Sequence, residues 1–302
     1  MVKAERNFTT KKEFLKQFGK KSRGREMVRF FLKNKPAVAG LIVFSVVVLM
    51  AVFAPVIADY NDVAIKQNIR ERLQGPSAKH ILGTDDFGRD VFARIVHGAQ
   101  RSLSIGISAI LVSLLLGGTL GAVAGFFGGK IDNVIMRIMD VFLCLPDMLL
   151  ALCLVAAFGI SKINLMIAIG LAFVPKLSRV VRAAVMGVRS CEYVEAARSI
   201  GATNGRIITG HVLVNCMGPI IVQLTLYVAN AILTIAALGF IGLGIPSPEP
   251  EWGNMLSKGR DFLQAGYTHL VLAPGLAIFL TILSLNLLGD GLRDTLDPRL
   301  KQ

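Results

Sequence analysis

The sequence predicts an all-α membrane protein of six transmembrane helices, with the N and C termini both cytoplasmic. Composition is the first reason: of 302 residues, 53% are hydrophobic and only 18% charged, less charge than a soluble domain of this size carries on its surface. Distribution is the second. The apolar residues lie in long blocks of about 20, which matches the hydrocarbon thickness at 1.5 Å rise per residue, and the charges fall between them. Backbone pairing is the third: in lipid every N–H and C=O must be satisfied within its own segment, so the blocks are helices.

The chain opens on a basic cytoplasmic arm, residues 1–35. Twelve of the 33 basic residues lie here against three acids (Glu5, Glu13 and Glu26), so the arm holds +9 of the formal +13. A basic flank beside a first span is the positive-inside signal and also suits anionic lipid. Short amphipathic stretches are expected around Phe14–Phe18 and Phe30–Leu32. No aromatic–basic interleaving or nucleic-acid-reading motif accompanies the charge, so it does not point to DNA or RNA.

The first span is expected at Pro36–Ala58, too long and too far behind its basic leader for a cleaved signal peptide. Residues 59–100 form an extracytoplasmic segment with six bases (Lys66, Arg70, Arg72, Lys79, Arg89, Arg94) balanced by six acids. Its turn-rich stretch Gly83–Asp90 caps the helix that follows. A five-helix core occupies 101–290, with spans at Ser102–Phe126, Val134–Phe158, Asn164–Met186, Met217–Leu243 and His269–Leu288. A cytoplasmic loop, 187–216, joins the fourth and fifth spans. An external loop at about 244–268 holds Pro246, Pro248, Pro250 and the only tryptophan, Trp252. Residues 291–302 are a short cytoplasmic tail.

Four cysteines (Cys144, Cys153, Cys191, Cys216) and four scattered histidines have no zinc-like spacing, so free thiols and no metal or cofactor site are expected. Ser113, Gly117, Gly121 and Gly125 recur every fourth residue in the second span, which lets a neighbouring helix approach closely. In the third span, Arg137 and Asp140 are spaced to pair. Asp147 follows the helix-breaking Pro146 near mid-membrane, where an ionised carboxylate is costly. It either lines a polar translocation path, satisfies backbone groups freed by Pro146, or is protonated.

The loop Glu192–His211 carries the strongest signal. Tyr193–Ile200 reads as a short amphipathic helix, Gly201 as its C′ glycine, and a second helix from about Asn204 leads into the fifth span. Such a hairpin presents a compact knob to another protein. Ala196 and Ala197 permit close docking, while Glu195, Arg198 and Arg206 offer polar contacts.

Glu195, Ala196, Ala197 and Gly201 match, at the right spacing, the EAA loop of bacterial ATP-binding cassette (ABC) importer permeases. The tail differs: Val214 stands where that loop usually has proline. The resemblance runs from about Lys33 through His80–Val91, Gly239–Gly244, Trp252–Leu256 and Gly289–Arg299, motifs similar to those of the C-type permease subunit of dipeptide and oligopeptide importers, a group that includes nickel importers. The resemblance implies the type I ABC importer permease fold. It also implies a second permease subunit, two ABC ATPase subunits and an extracytoplasmic solute-binding protein, with the hairpin lodged in a cleft on one ATPase. The cargo it implies is a di- or oligopeptide, with nickel or another small solute as the alternative.

The motif residues also admit plainer roles. Trp252 is expected as a membrane-interface anchor, and Asp85, Asp86, Arg89 and Asp90 as residues that fold the outer loop or seat a binding protein. No Gly-x-x-x-x-Gly-Lys-Ser/Thr occurs, so ATP hydrolysis is assigned to partner subunits and the chain itself is not expected to be an enzyme. An ion-coupled carrier would need several intramembrane ionisable groups, and Asp147 is the one candidate that stands out in the sequence.

Overall fold

A computed structural model describes residues 23–296. The expectations for Phe14–Phe18, for most of the basic arm and for the end of the tail lie outside the described residues. Within them the chain is helical, and the sole extended pairing is an isolated bridge between Thr84 and Asp90.

Helix α1 (Arg23–Lys33) leads to α2 (Lys35–Val52) and a short α3 (Ala54–Ile57). Asn34 caps α2 by accepting from the Ala37 N–H at 3.2 Å, with Pro36 pre-set for the first turn. The Asn34 amide also donates to Asp294 at 3.0 Å, tying the start of α2 to the end of the last helix.

Helix α4 (Val91–Ser113) continues through a π turn, Leu114–Gly118, into α5 (Thr119–Phe127). It starts at Val91 rather than Ser102 because Asp90 accepts from the Ala93 N–H at 2.9 Å and caps it there. The sequence reading counted Arg94 among the bases of an external segment, 59–100, which also holds His97. Both are buried and spent on carbonyls: Arg94 donates to Ala64 at 3.0 Å and Pro248 at 3.2 Å, and His97 Nε2 lies 2.8 Å from Ala58 O.

The expected third span is two helices, α6 (Gly129–Leu143) and α7 (Asp147–Phe158), bent by 85°. Pro146 is the cause, since its ring excludes helical geometry at Leu145 and it has no N–H to give. Helix α8 (Lys162–Val188) is the hub of the bundle. The small-residue stripe of α4–α5 lies against it: a Cβ on Gly117 would meet Val174 O at 2.7 Å, and one on Gly121 would meet Ser178 O at 2.3 Å. That stripe is therefore internal packing.

Helix α9 (Glu192–Ser199) and α10 (Asn204–Ile207) form the expected hairpin. Another π turn, Ile208–Val212, joins α10 to α11 (Leu213–Phe240), so one helical run extends over Asn204–Phe240. It starts well before Met217, and exposed Val214 rides on it without a break. Helix α12 (Trp252–Arg260) caps the far end, and α13 (His269–Leu296) runs past Leu288. At least five described helices are long and apolar enough to cross a membrane, and six if the bent α6–α7 pair is one span.

Candidate functional site

Three places carry chemistry: the α9–α10 hairpin at one end of the bundle, the α12 cluster at the other, and an ion-pair ladder between them.

The hairpin is anchored by a few side chains and leaves the rest free. Val194, Ala197 and Ile207 are buried against the core, while Glu195, Ala196, Arg198, Gly201 and Arg206 are exposed. Gly201 adopts φ +81, a conformation that glycine takes without steric cost. The Ala202 N–H donates to Ala197 O at 3.1 Å and the Gly201 N–H to Arg198 O at 3.0 Å. These are the paired bonds of a Schellman motif, with Ala202 packed against the core. The turn is thus held by its own backbone. Its orientation is set by Arg198, whose guanidinium lies 5.9 Å from the Phe126 ring centroid, and by Arg189, which donates to Gly125 O at 2.9 Å. Ile200 is 85% exposed at the tip. The six expected contact residues, Glu195, Ala196, Ala197, Arg198, Gly201 and Arg206, therefore share one short hairpin, with Ala197 turned inward.

The opposite end is closed. Trp252 is 1% exposed, and its indole N–H donates to Ile95 O at 3.0 Å. It is a core residue and not the interface anchor expected from its loop. Gly98 makes room for it, as a Cβ there would come within 2.8 Å of the indole. Glu251 is fully buried and caps α12, accepting from the Gly253 N–H at 2.7 Å and the Asn254 N–H at 2.8 Å. Burial pushes its carboxyl up to about 7 against those two bonds. Asp85 folds the neighbouring turn, accepting from the Phe87 N–H, the Arg89 N–H and, at 2.7 Å, Arg89 Nε. Burial and the adjacent Asp85 raise Asp86 above the ordinary range, and burial beside Arg89 lowers Lys258. Asp90 pairs with His80 at 2.8 Å. Of the two plainer roles expected for this stretch, folding the outer loop or seating a binding protein, these contacts are of the first kind.

The ladder is what the sequence reading missed. Asp147 pairs with Lys176 on α8, Asp140 with Arg179, and Asp132 with Arg182 through two bonds of 2.5 Å. Arg137 lies 3.8 Å from Asp140, as expected from its spacing. Asp147 is therefore not the sole intramembrane charge. The bases recur every third residue within one predicted span, a signal that was legible once matched to Asp140 and Asp147 in the span before it and to Asp132 in the turn that leads into it.

Among the described residues no group of three or more His, Cys, Asp or Glu side chains is arranged to hold a metal ion. Comparison with known proteins agrees with the geometry. Residues 117–302 match the family model for a binding-protein-dependent transport system inner membrane component, and residues 22–76 match the N-terminal transmembrane domain of oligopeptide transport permease C. The dipeptide transport system permease protein DppC of Alkalihalophilus pseudofirmus is 48% identical over 277 residues, 92% of this chain and 90% of that protein. A di/tripeptide transport permease of Pseudomonas aeruginosa is 44% identical, covering 92% of each chain. A glutathione transport permease of Pectobacterium atrosepticum is 40% identical over 92% of this chain and 91% of its own length. Among solved structures, the MetNI methionine ABC transporter in an inward-facing form gives a TM-score of 0.55 at 16% identity, covering 68% of this chain and 96% of that one; the likeness is one of fold. Helical bundle, hairpin and sequence agree: the chain belongs to the family of multi-pass inner membrane components of binding-protein-dependent transport systems.

Proposed function

We propose that this chain is one permease subunit of an ABC importer for di- or oligopeptides, forming half of the translocation pathway beside a second, related permease. Two ABC ATPase subunits supply the energy and an extracytoplasmic solute-binding protein delivers the peptide. The peptide assignment rests on the 39–48% identity to proteins named as dipeptide and di/tripeptide permeases. The hairpin faces the cytoplasm with both termini, and Glu195, Ala196, Ala197, Arg198, Gly201 and Arg206 couple it to an ATPase. Asp147 belongs to the pathway. An ion-coupled carrier is the weaker reading, because the family model and the named relatives are components of binding-protein-dependent transport systems.

The observation that carries the coupling assignment is a self-supported hairpin whose outward residues, Arg198 apart, have little to do within this chain. Nothing lies within 4 Å of a Cβ built on Gly201. A larger side chain there strains the backbone by about 1–2 kcal/mol, and its bulk meets only what docks from outside. Gly201→Leu and Glu195→Lys, assembled with the partner subunits, are expected to lower peptide uptake by roughly tenfold or more while ATP hydrolysis continues. Wild-type uptake by both variants in proteoliposomes would remove the assignment.

A further inference from the structure

We propose that the Asp147–Lys176 pair, backed by Asp140–Arg179, is a transit site for the two charged ends of a zwitterionic peptide. The ammonium exchanges onto a carboxylate and the peptide carboxylate onto a base. The inference rests on reading the chain as a peptide-importer subunit, and adds which of its residues the cargo meets.

The three rungs of the ladder differ in a telling way. Asp132–Arg182 is a closed, bidentate pair with its carboxylate largely buried, as a structural clamp should be. The next two are open. The Arg179 side chain is 54% exposed and that of Lys176 40%, and Asp140 is partly exposed as well. Both open rungs flank the 85° break between α6 and α7. Partly open charges within a span are costly against lipid, and they characteristically face a water-filled path. That argument holds for bases and acids together, which a lone carboxylate would not supply.

The local chemistry suits a small zwitterion. The Asp147–Lys176 rung is neutral and by itself attracts neither net cations nor net anions, while Arg137 beside Asp140 gives the second rung one extra base for the peptide carboxylate. On α8, Lys176 and Arg179 lie three residues apart, about 4.5 Å along the axis, less than the span of about 7 Å of two extended residues. One peptide can therefore engage one rung while its far end reaches the next. Opening a rung loses one ion pair and forms two with the peptide, while desolvating the peptide's charges offsets much of that gain. Weak, repeated binding of this kind lets a permeant leave as readily as it enters. Lys176 is backed by the core: the centroid of buried Phe173 lies 5.9 Å from its Nζ, and buried Tyr227 packs on Phe173 at 5.6 Å. One turn along α8, Val180 borders a cavity of about 460 Å³ shared with Gln223 and Arg293, a volume in the range of small-molecule sites.

The test uses the whole transporter, with both permeases, ATPases and binding protein, in proteoliposomes. The double variant Asp147→Asn with Lys176→Gln keeps a hydrogen-bonded pair but removes both charges. It is expected to assemble in normal yield and to take up dipeptide roughly tenfold more slowly, as loss of a charge-assisted contact implies. A dipeptide bearing a photoreactive side chain, trapped in the wild-type complex by vanadate, is expected to crosslink to α7 or α8 near residues 147 and 176. Wild-type uptake by the neutral pair overturns the proposal. So does a crosslink that maps to other helices, and that result decides the matter alone if the variant does not assemble. If the wild-type complex takes up no peptide, the importer reading fails instead, before any variant is compared.

Discussion

The two ends of this bundle use the same ingredients (a glycine turn, a short helix, a few charges) to opposite purposes. At the α12 end the short helix is sealed in: Trp252, Glu251 and Arg89 are all buried, and Gly98 and Gly239 are small because other groups fill their space. At the hairpin end the two short helices are propped on three buried side chains, Val194, Ala197 and Ile207, and their polar surface is left open. Both ends have a helix closed by a positive-φ glycine with paired backbone bonds, Gly242 after α11 and Gly201 after α9. A local motif therefore does not tell a functional turn from a structural one. What differs is whether the side chains around it are already satisfied within the chain.

The contrast predicts that damage at the α12 end is read as instability, and damage at the hairpin as lost coupling. Trp252→Ala is the largest test. Removing a fully buried indole leaves a cavity and frees the Ile95 carbonyl, at a cost of about 3–5 kcal/mol. Unfolding in detergent or lower accumulation in the membrane should show it. Near-native stability would mean that this end is not the closed structure described.

Glu251 gives a smaller effect with a definite sign. Its carboxyl is pushed from an ordinary 4.5 up to about 7 by burial, so between those values the folded chain holds a proton that the unfolded chain has released. Stability from the neutral carboxyl is complete below about 4.5 and is lost as pH rises through about 7. Thermal unfolding between pH 5 and 8 should therefore fall with rising pH, by up to a few kcal/mol in total. Glu251→Gln should flatten that slope. An unchanged slope would assign the pH dependence to other groups.

How far these features could be read from the sequence depends on whether their partners are local. The spans and hairpin were legible because apolar blocks, the Glu195–Gly201 spacing and the C′ glycine are properties of a few neighbouring residues. The start of α4 was not: Arg94 and His97 fall within the segment assigned outside the membrane, and only Ala58, Ala64 and Pro248, distant in sequence, show where they bond. Trp252 was misplaced for the same reason, since its loop position says nothing of Gly98. The ladder lay between these cases. Asp147 drew notice because a proline precedes it, whereas Lys176, Arg179 and Arg182 were absorbed into an apolar span whose mean hydropathy hid them. The break at Pro146 was visible, but its 85° angle depends on how α7 packs against α8.

Ile200 sets the lower limit of the comparison. It is a large apolar side chain held 85% in the open at the hairpin tip, and the Schellman turn around it is made by backbone groups of Ala197, Arg198, Gly201 and Ala202. Ile200→Ser therefore removes almost no internal contact, and stability should change by no more than about 0.5 kcal/mol. If the hairpin is a docking knob, the same change removes apolar area from an interface, and uptake should fall several-fold with the complex less tightly held by its ATPases. Co-purification of the ATPase subunits alongside a thermal melt separates the two effects. A melt lowered by several kcal/mol would show that the tip is held within this chain after all, and the division between a sealed end and an open one would not stand.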